Sequence, residues 1–115
     1  MPFSFMKRDN TASVPTLSPT DFLAQREADA VVLDVRTPGE FAEGHLAGVE
    51  HIDFMNPSFR DRVDALDRDA TYYLYCRSGN RSGKAAELMQ EMGFSDVTNI
   101  GGYEGLAAAG AETER

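Results

Sequence analysis

Two short runs of apolar residues most constrain the fold of this chain. Residues 30–35 read AVVLDV, and residues 72–75 read YYLY. A strand that faces solvent on one side alternates between apolar and polar residues, whereas a strand covered on both faces is apolar nearly throughout. The two runs therefore predict buried strands of a parallel sheet.

Helix signals alternate with the predicted strands. Ser18 and Thr37 are each followed by proline, the pattern of an N-cap residue and a first helical position. The predicted helices comprise residues 19–28, 38–44, 56–66, 82–92 and 103–109. The predicted strands comprise residues 30–35, 49–54, 72–75 and 96–100. This alternation indicates an α/β fold, an open parallel β-sheet with helices on both faces.

The length of 115 residues is that of one domain. We predict a single domain over residues 1–115, with its core from about 16 to 109. Residues 1–13 are expected to form a flexible amino-terminal arm or an edge strand, and residues 110–115 a frayed polar tail. No internal repeat indicates a second domain.

The charge balance excludes several classes of partner. The formal net charge is −8, which argues against nucleic acid and against an anionic membrane surface. No apolar run approaches the roughly 18–20 residues that a membrane span needs, and the first residues do not form the apolar core of a signal peptide. We therefore expect a cytoplasmic protein.

The small number of metal-ligating residues argues against a cofactor. The chain has one cysteine and two histidines, His45 and His51, without the spacing of paired ligands. One cysteine cannot form an internal disulfide or a cysteine-rich metal cluster. We expect no metal and no cofactor.

The single cysteine, Cys76, begins a polar loop between a predicted strand and a predicted helix. Residues 76–82 read CRSGNRS. Backbone amides of such a loop and the positive end of the next helix can bind an anion, either a phosphate or the cysteine thiolate itself. Arg77 and Arg81 add positive charge, and such surroundings lower a cysteine pKa from about 8.5 to roughly 3.5–7.5. A lone cysteine is commonly a buried apolar residue, but the polar neighbours here favour a nucleophile.

Further polar residues and glycines follow the ends of other predicted strands. The carboxyl ends of parallel strands meet at one edge of the sheet, where ligands bind. Asp34, Arg36, Gly101 and Gly102 are therefore expected near Cys76. A strand-end aspartate usually caps backbone groups, and the paired glycines allow close backbone approach.

Arg36 and His45, two basic residues near this edge, are also expected to stabilise the local structure. Arg36 is expected to form an ion pair with Glu40 or Glu43 of the next helix. His45 is expected to fix the turn over residues 44–48 by hydrogen bonding, and proton transfer by its ring is the alternative.

The cysteine loop resembles the active-site loop of the rhodanese-like sulfurtransferases. Residues 33–41 (LDVRTPGEF) with 44–49 (GHLAGV) look like the amino-terminal signature of that family, and residues 99–103 (NIGGY) look like its closing segment. The three blocks occur in the family's order, and the resemblance runs from about Ser18 to about Leu106. Tyr103 stands where the family commonly has tryptophan, which affects the shape of the pocket.

The resemblance implies a sulfurtransferase. Cys76 would take sulfane sulfur from thiosulfate or a persulfide, carry it as a persulfide and pass it to a thiol or cyanide. A protein could also serve as sulfur donor or acceptor. The resemblance implies an anion-binding loop and a set of supporting residues. The loop comprises Arg77, Ser78, Gly79, Asn80, Arg81 and Ser82. The supporting residues are Asp34, Arg36, His45, Gly101 and Gly102.

Two alternatives stay open. One is a non-enzymatic sulfur carrier or protein-interaction module, which would hand sulfur on within a complex. The other is a phosphatase or arsenate reductase with a cysteine loop. Four residues separate Cys76 from Arg81, as in the sulfurtransferases that the loop resembles. The related phosphatase loops have one residue more, which widens the cradle for a phosphoryl group.

Overall fold

The computed structural model describes residues 14–115. The predicted amino-terminal arm, residues 1–13, lies outside the described residues. The elements in chain order are α1 Pro19–Gln25, β1 Val31–Asp34, α2 Pro38–Glu43, β2 His45–Leu46, β3 Glu50–His51, α3 Phe59–Asp64, β4 Tyr72–Cys76, α4 Asn80–Glu91, β5 Val97–Gly102, α5 Tyr103–Ala108 and β6 Thr113–Glu114.

The main sheet has four strands in the order β3-β1-β4-β5. All three pairings are parallel. Strand β4 lies between β1 and β5, and all five of its residues are buried. The carboxyl ends of β1, β4 and β5 therefore meet at one edge, and Cys76 is the last residue of the central strand.

Helices cover both faces of the sheet, which confirms the predicted α/β class. On one face, Leu74 and Cys76 pack in a buried cluster with Val63 of α3 and Met89 of α4. On the other face, Tyr73 and Tyr75 pack with Phe22 of α1 and Leu106 of α5. Because side chains alternate along a strand, the apolar run of β4 supplies both clusters.

One difference in boundaries affects the cysteine loop. We predicted that the helix after the loop begins at Ser82, but α4 begins at Asn80 and its N-cap is Gly79, with a φ of 95°. A left-handed φ suits glycine because it has no Cβ, so the turn is sharper than expected. Three other predicted elements are clearly shorter. The first helix ends at Gln25 rather than near Ala28, the strand over residues 49–54 is confined to Glu50–His51, and the helix over residues 56–66 is confined to Phe59–Asp64.

The prediction of a frayed carboxyl-terminal tail is wrong for the residues that form β6. Thr113 and Glu114 pair antiparallel with Leu46 and His45 of β2. The amide of Ala47 also donates to the carbonyl of Glu112, at 2.9 Å. The backbone groups of the short strand β2 need hydrogen-bond partners, and the carboxyl-terminal tail supplies them.

A buried polar network fixes the edge of the sheet beside Cys76. Asp34 is fully buried and accepts hydrogen bonds from Arg36 Nη2 at 2.7 Å and Arg36 Nε at 3.0 Å. Arg36 Nη2 also donates to the Gly44 carbonyl at 2.6 Å. The predicted ion pair of Arg36 with Glu40 or Glu43 is therefore wrong. A buried carboxylate requires a charged partner, and Arg36 is held beside Asp34 by its own backbone amide, which donates to Asp34 Oδ1.

Tyr75 joins this network to β2. Its hydroxyl donates to Asp34 Oδ2 at 2.7 Å and accepts from the Leu46 amide at 3.0 Å. Burial and the neighbouring Asp34 carboxylate hold the pKa of Tyr75 above its ordinary value, so the hydroxyl stays protonated as a donor. One side chain thus connects β1, β2 and β4.

Replacing Tyr75 with phenylalanine tests the network. Tyr75→Phe leaves the Leu46 amide without its acceptor and removes a donor from Asp34. We expect the free energy of unfolding to fall by about 1–3 kcal/mol, measured by urea denaturation. Tyr73→Phe is the control, since Tyr73 is buried on the same strand and its hydroxyl makes no hydrogen bond within residues 14–115. An equal loss in both variants would contradict the role of the Tyr75 hydroxyl.

Candidate active site

The sulfur of Cys76 lies in a cradle made by the loop and the first turn of α4. Cys76 is fully buried. Its Sγ accepts a hydrogen bond from the Gly79 amide at 3.0 Å and lies 3.4 Å from Ser82 Oγ, which donates to it. The sharp turn at Gly79 directs the amides inwards, and the amino terminus of α4 adds its positive end.

The cradle stabilises the thiolate form of Cys76. Burial alone raises the pKa of a thiol because it penalises the charged form. Hydrogen bonds from the Ser82 hydroxyl and from the amides of Ser82, Ser78 and Gly79 outweigh burial and lower the pKa of Cys76 below its ordinary value. The composition of the loop predicted a lowered pKa for Cys76, and the structure identifies the hydrogen-bond donors that lower it.

Asn99, in the middle of β5, holds the cradle together. Its Oδ1 accepts from the Gly101 amide at 3.1 Å and lies 2.8 Å from Ser82 Oγ, whose single proton is shared between Asn99 Oδ1 and Cys76 Sγ. Its Nδ2 donates to the Gly79 carbonyl at 3.0 Å. Sequence reasoning missed this residue. The available signal was an asparagine directly before the glycine pair, since asparagine both donates and accepts and can cross-link two loops.

The paired glycines lie against the cysteine loop. A Cβ added at Gly102 would overlap the carbonyl group of Arg77, so only glycine fits there without a shift of the loop. Gly101 has a left-handed φ of 95° and no atom near its Cβ position, so its glycine is required by backbone conformation rather than by space. Together they let the end of β5 pack against the loop.

Asp34 and Arg36 lie at the same edge, but their hydrogen bonds are within the buried network rather than with the cysteine loop. The Arg36 guanidinium lies 4.5 Å from the centre of the Tyr103 ring, a cation–π contact. Arg36 and Tyr103, together with Arg77 of the loop, line a cleft of about 260 Å³. Of the two predicted supporting residues, Arg36 thus forms part of the wall of a cleft beside the loop, and buried Asp34 holds Arg36 in place.

His45 and His51 are structural. The ring of Phe41 is stacked between them, with centroid separations of 3.7 Å to His45 and 4.4 Å to His51. His45 Nδ1 lies 3.0 Å from the Phe41 carbonyl, and His51 Nε2 lies 2.7 Å from the Arg36 carbonyl. Neither ring forms a hydrogen bond with Cys76 within the described residues, so the histidines fix the segment around α2.

The two arginines of the loop differ in their surroundings. Arg77 is exposed, as are Ser78 and Asn80. Arg81 is mostly covered and forms two parallel hydrogen bonds to Glu40, from Nη1 to Oε1 at 2.9 Å and from Nη2 to Oε2 at 3.0 Å. The sequence placed Glu40 only in the first turn of α2. Arg81 lies 41 positions later, so no local pattern in the sequence predicts this pair.

Among residues 14–115, no three histidine, cysteine, aspartate or glutamate residues are grouped so that they could hold a metal ion. No helix in that part is long and apolar enough to cross a membrane.

Comparisons with known proteins agree with this geometry. The family model for the rhodanese-like domain matches residues 18–109. The thiosulfate sulfurtransferase GlpE of Pseudomonas aeruginosa is 42% identical over 89 residues, which cover 76% of this chain and 79% of that protein.

Solved structures share the fold. A rhodanese-related protein from Thermoplasma volcanium has a TM-score of 0.75 at 29% identity, covering 87% of this chain and 97% of that one. A rhodanese with anions from E. coli has a TM-score of 0.64 at 28% identity, covering 75% of this chain and 98% of that one. The matched segment includes β1, the cysteine loop and β5, and the chain belongs to the rhodanese-like domain family.

Proposed function

We propose that this protein is a sulfurtransferase that moves sulfane sulfur from thiosulfate or a persulfide donor to a thiol or cyanide, through a persulfide on Cys76. The observation that carries the proposal is the cradle around Cys76 Sγ, with the Gly79 amide at 3.0 Å and the Ser82 hydroxyl at 3.4 Å. It favours the anionic form of the sulfur, which is the reactive form of cysteine. The name of the Pseudomonas relative, thiosulfate sulfurtransferase, agrees with this chemistry.

In the first half-reaction the Cys76 thiolate attacks the outer sulfur of the donor. A bond forms between Cys76 Sγ and that sulfur, while the S–S bond of thiosulfate breaks and sulfite leaves with the electron pair. With a persulfide donor, the donor's thiolate leaves instead. The product is the Cys76 persulfide anion, whose negative charge the loop amides and helix end are suited to stabilise.

In the second half-reaction the acceptor attacks the outer sulfur of this persulfide. A thiolate acceptor becomes a persulfide and cyanide becomes thiocyanate, and in both cases Cys76 recovers its electron pair as a thiolate. Cys76 attacks the donor as a thiolate that the cradle stabilises, and the acceptor attacks as the thiolate or cyanide ion present in solution, so no histidine base is part of the proposal. This agrees with the structural contacts of His45 and His51.

The other predicted site residues have binding and positioning roles in the proposal. Exposed Arg77, Ser78 and Asn80 would meet an anionic donor at the mouth of the loop, and Arg81 would lie beside it in its ion pair with Glu40. Gly79 and Ser82 would hold the sulfur. Asp34, Arg36, His45, Gly101 and Gly102 would support the edge of the sheet on which the loop lies.

We further propose that the protein is cytoplasmic and that residues 1–115 form a single domain. A single free cysteine with a thiolate suits a reducing compartment. Substrates would be a small sulfur donor and a thiol or cyanide, with a protein as a further donor or acceptor. The net charge of −8 supports neither a nucleic acid nor an anionic membrane as partner.

Intact-protein mass tests the persulfide. After incubation with thiosulfate or a persulfide donor, we expect a mass gain of about one sulfur atom that a reductant removes. Cys76→Ser should show no gain, because its hydroxyl does not ionise at neutral pH. No adduct on the wild type with either donor would sink the proposal. An adduct that is passed slowly to cyanide and thiols but quickly to a protein would instead identify a carrier.

Replacing Ser82 tests how the cradle sets the reactivity of Cys76. Ser82→Ala removes a hydroxyl donor, so the pKa of Cys76 should rise. We expect the pH profile of Cys76 alkylation by iodoacetamide to shift to higher pH, since alkylation follows the thiolate fraction. Ser95→Ala, at an exposed serine outside the loop, should leave the profile where it is. A Ser82→Ala profile identical to that of the wild type would mean that the amides alone stabilise the thiolate.

A further inference from the structure

Arg81 lies at the second position of α4, where its charge adds to the positive end of the helix. The mouth of the loop would therefore attract anions strongly if Arg81 were free. The Glu40 carboxylate instead binds both terminal nitrogens of its guanidinium, at 2.9 and 3.0 Å. The end of the guanidinium that would grip an oxyanion with two parallel bonds is thus occupied.

Glu40 is fixed in this position from its own helix. Its Oε1 accepts from the Thr37 amide at 3.0 Å and from Thr37 Oγ1 at 3.1 Å, in a capping box at the start of α2. The bonds to Arg81, together with those to Thr37, lower the pKa of Glu40 to about 2. The side chains of Glu40 and Arg81 are only 25% and 24% exposed. Glu40 is therefore ionised, held from two sides and partly shielded from solvent.

We propose that Glu40 is a specificity-determining residue, which weakens binding of the dianion thiosulfate at the cysteine loop relative to singly charged persulfide donors. The proposal rests on the proposed sulfur transfer and names the donor class. The Glu40 carboxylate neutralises Arg81 and so weakens the electrostatic attraction between Arg81 and an anionic donor. Because this attraction scales with the charge of the donor, a dianion loses more binding energy than a singly charged anion. The hydrogen bonds to Cys76 Sγ come from Gly79 and Ser82 and not from Glu40 or Arg81, so the same cradle serves both donors.

Glu40→Gln tests this role with little disturbance of α2. The amide oxygen of glutamine can still accept from Thr37, because glutamine is a normal member of a capping box. The amide nitrogen cannot pair with Arg81. We expect the KM for thiosulfate to fall about three- to tenfold. The KM for the persulfide of 2-mercaptoethanol should fall less, so the ratio of the two kcat/KM values shifts towards thiosulfate.

Three further variants separate Glu40 from general charge effects. Glu87→Gln removes the same charge from an exposed position of α4 that has no hydrogen bond to Arg81 in the described part of the chain, and should leave the selectivity ratio within about twofold of the wild type. Arg81→Gln leaves Glu40 unpaired and should raise the thiosulfate KM. The double variant with Glu40→Gln and Arg81→Gln should return close to the wild type. An unchanged or raised thiosulfate KM in Glu40→Gln would overturn the proposal.

A binding measurement keeps this inference separate from the proposed function. Sulfate, an inert dianion, should protect Cys76 from iodoacetamide, and the concentration that halves the alkylation rate should be about three- to tenfold lower in Glu40→Gln. If the wild type forms no persulfide with any donor but this shift is seen, the sulfur-transfer proposal fails and Glu40 still controls anion binding. Equal sulfate protection in the wild type and Glu40→Gln would reject the role of Glu40.

Discussion

The buried ion pair between Asp34 and Arg36 is the interaction on which the catalytic edge of the sheet depends. An unpaired buried carboxylate is costly, so Arg36 and Tyr75 are bound to Asp34 at hydrogen-bond distance. Tyr75 directly precedes Cys76 on β4, and successive side chains of a strand point to opposite faces. The network therefore lies on one face of the sheet and fixes the strand end from which the Cys76 sulfur projects on the other face.

On that other face, burial and charge oppose each other at Cys76. The residue belongs to the apolar cluster with Leu74 and Met89, where an unpaired anion would be strongly disfavoured. Each hydrogen bond to a charged group contributes about 1.5–3 kcal/mol, so several donors must converge before a buried thiolate is stable. The loop supplies them because Gly79 turns sharply and Asn99 holds the Gly79 carbonyl and the Ser82 hydroxyl. The reactivity of the cysteine is a property of this backbone shape.

The sequence was most informative where structure is set by local patterns. The apolar runs at residues 30–35 and 72–75 predicted the buried strands, and the strand–cysteine–helix order placed Cys76 at the correct edge. The choice among several possible partners for a side chain or a strand was not predictable. Arg36 pairs with Asp34 rather than with α2, Glu114 pairs with His45, and Asn99 binds the cysteine loop, because in each case the competing partners differ only in their positions in three dimensions.

Glu40 has two roles in the structure, one local and one long-range: it caps α2 and it pairs with Arg81 of α4. Its position three residues after Thr37 is sufficient to explain its presence as a helix cap, so the sequence gives no reason to expect a second partner. The fold nevertheless places its carboxylate against Arg81. Counting the two arginines of the loop therefore overstates the positive charge available to a donor, because one of them is neutralised from another helix. What remains at the sulfur is mainly a set of backbone amides, which bind a small anion through geometry rather than through net charge.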